Sequence, residues 1–157
     1  GVFLVAELFE KAAAARPELS LHLAGPVVEP AVSERIASLQ RQFPGRVEHV
    51  GPVYGEDKNS FYSRIDAFLF PTLYAKEAQP VVIFEALAAG APVIANARGC
   101  IGEMVFGARG VVVDDPKDYV PQAMRTLSAW RTSGRTGMRD AWHCSGSSDC
   151  NKRPRGP

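Results

Sequence analysis

Residues 68–98 read FLFPTLYAKEAQPVVIFEALAAGAPVIANAR and predict a strand, a loop, a helix and a second strand. The opening apolar run stops at Pro71, which is typical of a strand buried on both faces. Pro80 suits the first position of a helix, because its φ is already helical and its missing N–H is not needed there. Gly90 is the predicted end of that helix, and the next strand begins at Pro92.

The predicted helix contains one polar side chain, Glu85. A helix that is apolar on all sides belongs in the interior, where a lone carboxylate is costly unless it is paired. Glu77 lies eight residues earlier, in the loop before the helix. The free N–H groups of the helix start suit phosphates, and the carboxylates suit ribose and sugar hydroxyls. A nucleoside diphosphate with a sugar attached would satisfy all three groups.

Each carboxylate also has a simpler explanation. Glu77 could complement only the helix dipole, and Glu85 could pair with an Arg or Lys elsewhere in the chain. For either residue alone we favour that simpler interpretation. For the pair, between a strand and a helix that ends in Gly before a second strand, we favour ligand binding.

The sequence here resembles a known motif. Glu77, seven residues, Glu85 and then ALAAGAPVIA resemble the donor site of retaining glycosyltransferases of family 4, which have the GT-B fold. The resemblance implies that Glu85 holds the nucleotide ribose and that Glu77 approaches the donor sugar. Ala78, Gln79 and Pro80 stand where many members have Gly-Phe-Gly, so the donor sugar stays open.

Strands and helices alternate along the chain, which predicts an α/β fold with a Rossmann-like parallel sheet and helices on both faces. Ligands of such sheets bind at the carboxyl ends of the strands. The resemblance implies Glu77 as the catalytic residue, and it implies Glu85, Gly51, Val53 and Tyr54 as donor-binding residues. The helix start at Gln79, Pro80, Val81 and Val82 is expected to face the diphosphate. Gly99, which has no Cβ, would allow a diphosphate to approach the backbone, or it is needed only for the turn. Neither GxGxxG nor GxxxxGK[ST] occurs, which argues against dinucleotide oxidoreductases and P-loop NTPases.

The chain of 157 residues is 46% hydrophobic and 22% charged, which is ordinary for a globular protein. No apolar run approaches the roughly 20 residues of a membrane helix, so no transmembrane segment is predicted. Three cysteines and no secretion signal favour a cytoplasmic protein.

Residues 1–130 carry 15 acidic and 12 basic side chains, which argues against nucleic-acid binding. Residues 131–157 form a basic Ser- and Gly-rich tail that we expect to be disordered.

The resemblance implies that residues 1–130 are the nucleotide-sugar-binding half of a GT-B enzyme. An acceptor-binding N-terminal domain and the first strand of this half would then precede Gly1, and the loss of that strand should interrupt the sheet or force a new pairing. No metal and no cofactor beyond the nucleotide sugar is implied. A Rossmann-like module without catalysis and a GT-B-like sugar-nucleotide epimerase stay open as alternatives.

We expect the chain on its own to be marginally stable, because a strand from the middle of the sheet would be missing. We also expect it to lack transferase activity, because the acceptor site would be absent. A turnover assay with nucleotide sugars tests this expectation, and sugar transfer by this polypeptide alone would contradict it.

Overall fold

A computed structural model describes residues 1–132, apart from the side chains of residues 108, 131 and 132. The predicted tail therefore lies outside the described residues. The elements are, in chain order, α1 Val2–Ala15, β1 Leu21–Ala24, α2 Pro30–Gln42, β2 Val47–Gly51, α3 Gly55–Arg64, β3 Phe68–Phe70, α4 Val81–Ala88, β4 Val93–Asn96, α5 Ile101–Met104, β5 Gly110–Val113 and α6 Tyr119–Thr132. Within these residues no helix combines the length and the apolar character that crossing a membrane requires.

The strands of the described chain form two parallel sheets. In one, β1 pairs with β2, with Leu21 opposite Val47. In the other, β4 lies between β3 and β5, with Val93 opposite both Phe68 and Gly110. No ladder joins β1 to β3 in the described chain, so the sheet is interrupted there, which is one of the two outcomes expected from the family resemblance.

Helices cover both faces of the sheets. Alternate residues of β4 point to opposite sides: Ile94 packs with α1 and α6, whereas Val93 and Ala95 pack with α3, α4 and α5. Leu69 of β3 packs against the cluster around β1 and β2 and also against the cluster around α6. One side chain therefore bridges the two sheets through the core, and the predicted α/β fold with helices on both faces is confirmed.

The prediction that β3 is buried on both faces is wrong, because all three of its residues are only half-buried. In the described residues β3 has a paired strand on one side, at β4, and none on the other. Full burial instead belongs to β4, whose four residues are all inaccessible to solvent. This strand has neighbours at both edges and helices on both faces, so it forms the centre of the fold.

The prediction that α4 is buried on all sides is also wrong. Ile83 and Ala86 are fully buried, but Val81 is 63% exposed and Phe84 is 46% exposed. The helix lies on the outside of the sheet, so only the stripe that faces β3 and β4 enters the core. The carboxylate of Glu85 is therefore not desolvated as completely as an apolar helix suggests.

The predicted ends of α4 agree with the structure. Pro80, expected at the first helical position, is instead the N-cap, so the helix begins one residue later than expected, at Val81. At the other end Gly90 adopts a positive φ of 78°. Its N–H donates to the Leu87 carbonyl, and the Ala91 N–H donates to the Ala86 carbonyl. These two bonds form a Schellman motif, which turns the chain directly into β4.

The loops after β3 and β4 are packed against each other at Gly99. Its φ is +48°, and a Cβ there would overlap the carbonyl oxygens of Glu77 and Ala78. The next residue, Cys100, donates its N–H to the Ala78 carbonyl at 2.9 Å. The missing side chain of Gly99 thus lets one loop fix the position of the other, immediately beside Glu77.

Gly99→Ala should therefore lower the free energy of unfolding by roughly 2 kcal/mol or more, since the new Cβ adds a collision to the strain of a left-handed backbone. Gly45→Ala is the matched control: its φ is +73°, and no atom lies within 4 Å of the place that a Cβ would occupy. That variant should lose only about 1 kcal/mol, from backbone strain alone. Urea unfolding measures both values, and equal losses would show that the loop contact is unimportant.

A second prediction concerns Tyr119, which is fully buried and donates its hydroxyl to the Ile94 carbonyl at 3.0 Å. Burial raises the pKa of Tyr119 well above its ordinary value. Above pH 10 the unfolded chain releases a proton that the folded chain keeps, so the stability falls by about 1.4 kcal/mol per pH unit from this group.

Tyr119→Phe should be less stable than the unsubstituted chain at pH 7, by roughly 1–3 kcal/mol, because the Ile94 carbonyl loses its donor. The difference should shrink as pH rises above 10, since the variant has no proton to release at this position. Urea unfolding from pH 7 to 11 follows both proteins, and parallel stability curves would contradict the argument.

Candidate functional site

Glu77 is held in the loop that follows β3. Its Oε2 accepts a hydrogen bond from Thr72 Oγ1 at 3.3 Å, and Thr72 Oγ1 in turn accepts from the Tyr74 N–H at 3.2 Å. The Glu77 N–H donates to the Tyr74 carbonyl at 3.3 Å. The loop thus folds back on itself, and the carboxylate stays partly open to solvent while one neutral hydroxyl orients it.

Asn96 anchors the base of this loop. It is the last residue of β4, it is fully buried, and its Nδ2 donates to the Thr72 carbonyl at 3.2 Å. Among the described residues its Oδ1 accepts no hydrogen bond. The sequence analysis did not select Asn96, although a polar residue at the end of an apolar strand is a recognisable signal.

Glu85 faces α3. Its Oε1 lies 2.6 Å from Lys58 Nζ, and its Oε2 accepts a hydrogen bond from the Tyr62 hydroxyl at 3.2 Å. The side chains of Glu85 and Lys58 are 27% and 34% exposed. The simpler interpretation, that Glu85 pairs with a basic residue, is therefore confirmed, and that residue is Lys58.

Tyr62 stays a hydrogen-bond donor throughout the physiological pH range. Burial, and to a smaller extent the negative charge of Glu85, raise the pKa of the Tyr62 hydroxyl well above its ordinary value. The hydroxyl is therefore protonated and can only donate to the carboxylate, which accepts. Glu85 thus has one donor at each oxygen, an ammonium at Oε1 and a neutral hydroxyl at Oε2.

Space remains beside this carboxylate. A cleft of about 340 Å³ lies between α3 and α4, and its lining consists of Lys58, Asn59, Tyr62, Glu85, Ala88 and Ala89. That volume lies at the lower end of the range for small-molecule sites. The ion pair consequently does not fill the space beside Glu85. Of the predicted site residues Glu85 alone lines this cleft, which continues along α4 to Ala88 and Ala89.

The other predicted residues lie where their strands end. Gly51, Val53 and Tyr54 connect β2 to α3, the helix that carries Lys58. Val53 packs against the core, whereas Tyr54 is 76% exposed. Gln79, Pro80, Val81 and Val82 form the loop end and the first turn of α4, and Gly99 follows β4.

The structure connects these residues in two groups. Gly99 contacts the backbone of Glu77 and Ala78, as described above. Glu85 is joined instead to α3, and so to the loop that precedes that helix. In residues 1–132 no hydrogen bond or ion pair links Glu77 to Glu85 directly. The two carboxylates are therefore independently held groups on either side of the amino end of α4.

The sequence analysis missed Lys58 and Tyr62. They are four residues apart on α3 and so lie on one face of that helix, which is the signal that pairs them. Their common partner could not be read from the sequence, because the packing of α3 beside α4 is a tertiary contact.

Comparisons with known proteins agree with this architecture. AviGT4, a glycosyltransferase involved in avilamycin A biosynthesis, is 29% identical and superposes with a TM-score of 0.57, over 88% of this chain and 40% of its own. Anabaena HepE, in complexes with UDP and glucose and with UDP-glucose, is 18% identical and superposes with TM-scores of 0.61 and 0.63, over 86% of this chain and 38% of its own. The chain thus spans about two fifths of the length of each.

No functionally curated protein matches the sequence. The family model described as glycosyl transferases group 1 matches residues 1–129, which is most of the chain. The superposed structures share its Rossmann-like α/β architecture. The chain therefore belongs to the glycosyl transferases group 1 family.

Proposed function

We propose that this chain forms the donor-binding part of a retaining glycosyltransferase of family 4 that transfers a hexose from a nucleotide sugar. The observation that carries the proposal is the environment of Glu85. Its two oxygens accept from two separate donors, and it borders an open cleft. The two hydroxyls of a ribose are also two donors, on adjacent ring carbons, so they match what this carboxylate accepts.

In this proposal Glu85 binds the ribose diol, and the loop of Gly51, Val53 and Tyr54 contacts the base. The first turn of α4, where Val81 is 63% exposed, faces the diphosphate, whose charge suits free N–H groups and the positive end of the helix dipole. Glu77 orients the donor hexose from its place in the β3–α4 loop. Its carboxylate has one neutral hydroxyl partner in the described residues, which leaves acceptor capacity for sugar hydroxyls.

Two further points support a nucleotide sugar as the ligand. HepE, which shares the fold, was crystallised with UDP-glucose. Membership of the glycosyl transferases group 1 family favours transfer over an epimerase or a module without catalysis. We propose that the full enzyme is cytoplasmic and needs no metal, with fixed positive groups stabilising the departing diphosphate. The acceptor site belongs, in this proposal, to an additional N-terminal domain, so the present chain alone is inactive.

Glu85→Gln should weaken UDP binding about tenfold to hundredfold, because charge-assisted hydrogen bonds to the ribose become neutral ones. Titration calorimetry with UDP measures the change. The fold should be retained, since a partly exposed ion pair contributes at most about 1 kcal/mol.

Glu10→Gln provides the matched control for the lost ion pair. Glu10 Oε2 lies 2.6 Å from Arg35 Nη2, and both side chains are 27% exposed. This variant should bind UDP as the unsubstituted chain does. If Glu85→Gln also left UDP affinity unchanged, the ribose role of Glu85 would be wrong.

A further inference from the structure

The ammonium of Lys58 occupies the carboxylate oxygen that the proposed function assigns to the ligand. Lys58 Nζ and Glu85 Oε1 are 2.6 Å apart, which is the distance of a charge-assisted hydrogen bond. A carboxylate oxygen accepts more than one hydrogen bond, so a ribose hydroxyl that donates to Oε1 either shares it with the ammonium or displaces the ammonium. Binding of a nucleotide therefore requires Lys58 to share this oxygen or to leave it.

We propose that Lys58 is a positioning residue for the donor, which holds Glu85 before the nucleotide binds and turns to the pyrophosphate when the ribose replaces it. This inference rests on the proposed function. It adds a positive group that the family motif does not contain, and it predicts selectivity for nucleoside diphosphates over nucleosides.

The position of Lys58 suits such an exchange. It lies in the first turn of α3, directly after the loop that the proposed function assigns to the base, and it lines the cleft beside Glu85. Glu85 is four residues beyond Val81 on α4, which corresponds to a rise of about 6 Å. A flexible lysine stem covers a comparable length, and in this proposal a rotation of the side chain carries Nζ from Glu85 toward the amino end of α4.

The contacts of Lys58 leave it free to move. Glu85 is the one hydrogen-bond partner of Nζ among the described residues, and the side chain is one third exposed. An ammonium has three donors and a strong preference for an anion. Once the diol has taken Glu85, the nearest new anion that enters the site is the diphosphate of the same ligand.

The energetic balance allows this exchange. A partly exposed ion pair changes an equilibrium by about fivefold at most, so Lys58 is a weak competitor that cannot close the site. An ammonium–phosphate hydrogen bond favours binding by roughly tenfold or more. The net effect of Lys58 should thus be unfavourable for a nucleoside and favourable for its diphosphate.

The test compares uridine with UDP, by titration calorimetry or ligand-observed NMR, on the full chain and on Lys58→Met. UDP is the probe because HepE binds it; if the unsubstituted chain prefers ADP or GDP, that nucleotide and its nucleoside replace the pair. In Lys58→Met uridine should bind as tightly as before or up to about fivefold more tightly, whereas UDP should bind about tenfold more weakly. Lys58→Arg should keep most of the preference for UDP, because it keeps the charge. Arg35→Met, which breaks the matched pair with Glu10, should change neither affinity.

The outcomes separate the two proposals. If UDP does not bind, or binds independently of Glu85, the proposed donor site is wrong, and the proposed role of Lys58 is then wrong as well. If UDP binding depends on Glu85 but Lys58→Met changes neither affinity, or changes both by the same factor, Lys58 is a structural partner of Glu85 and the inference is overturned. A loss of UDP affinity in Lys58→Met that Lys58→Arg does not repair would also contradict it.

Discussion

The pairing of β4 with both of its neighbours is the constraint on which the remaining structure depends. All four residues of β4 are inaccessible to solvent, so its main-chain groups must be satisfied by β3 and β5. This rigid centre fixes the position of the loops at the carboxyl ends of its strands. Asn96 holds the Thr72 carbonyl, and Cys100 holds the Ala78 carbonyl, so the loop that carries Glu77 is tied at both ends to the chain that follows β4.

Much of this arrangement follows from local sequence signals. Gly90 ends α4 because the chain must adopt a left-handed conformation there, and Asp115 caps the turn at Pro116 by accepting from the Lys117 N–H. Such signals act within a few residues, and they fix the order and the bounds of the elements. The parallel sheet then follows from the alternation of strands and helices. The expectation that the sheet is interrupted rested on the family resemblance and not on local sequence patterns.

The errors have a common physical origin. The burial of β3 and of α4 was inferred from the apolar character of their own residues, but burial depends on what packs against them. Phe84 and Val81 are apolar and yet exposed, because the described residues place no element over that side of α4. In the same way Glu85 could be recognised as needing a partner, whereas the identity of Lys58 depended on how α3 lies beside α4.

A buried hydrophobic cluster shared by α3 and α4 shows how little the ion pair is needed to hold these helices together. Phe61 and Tyr62 of α3 share a buried cluster with Ile83 and Ala86 of α4, so these helices are held together without the charges. Burial of a single large side chain contributes roughly 1.5–3 kcal/mol, which exceeds what a partly exposed ion pair supplies. Glu85 and Lys58 are therefore not needed to hold the helices in place. A carboxylate that is dispensable for packing and borders a cleft can exchange its partner without loss of the fold, and a ligand-binding group must be able to do this.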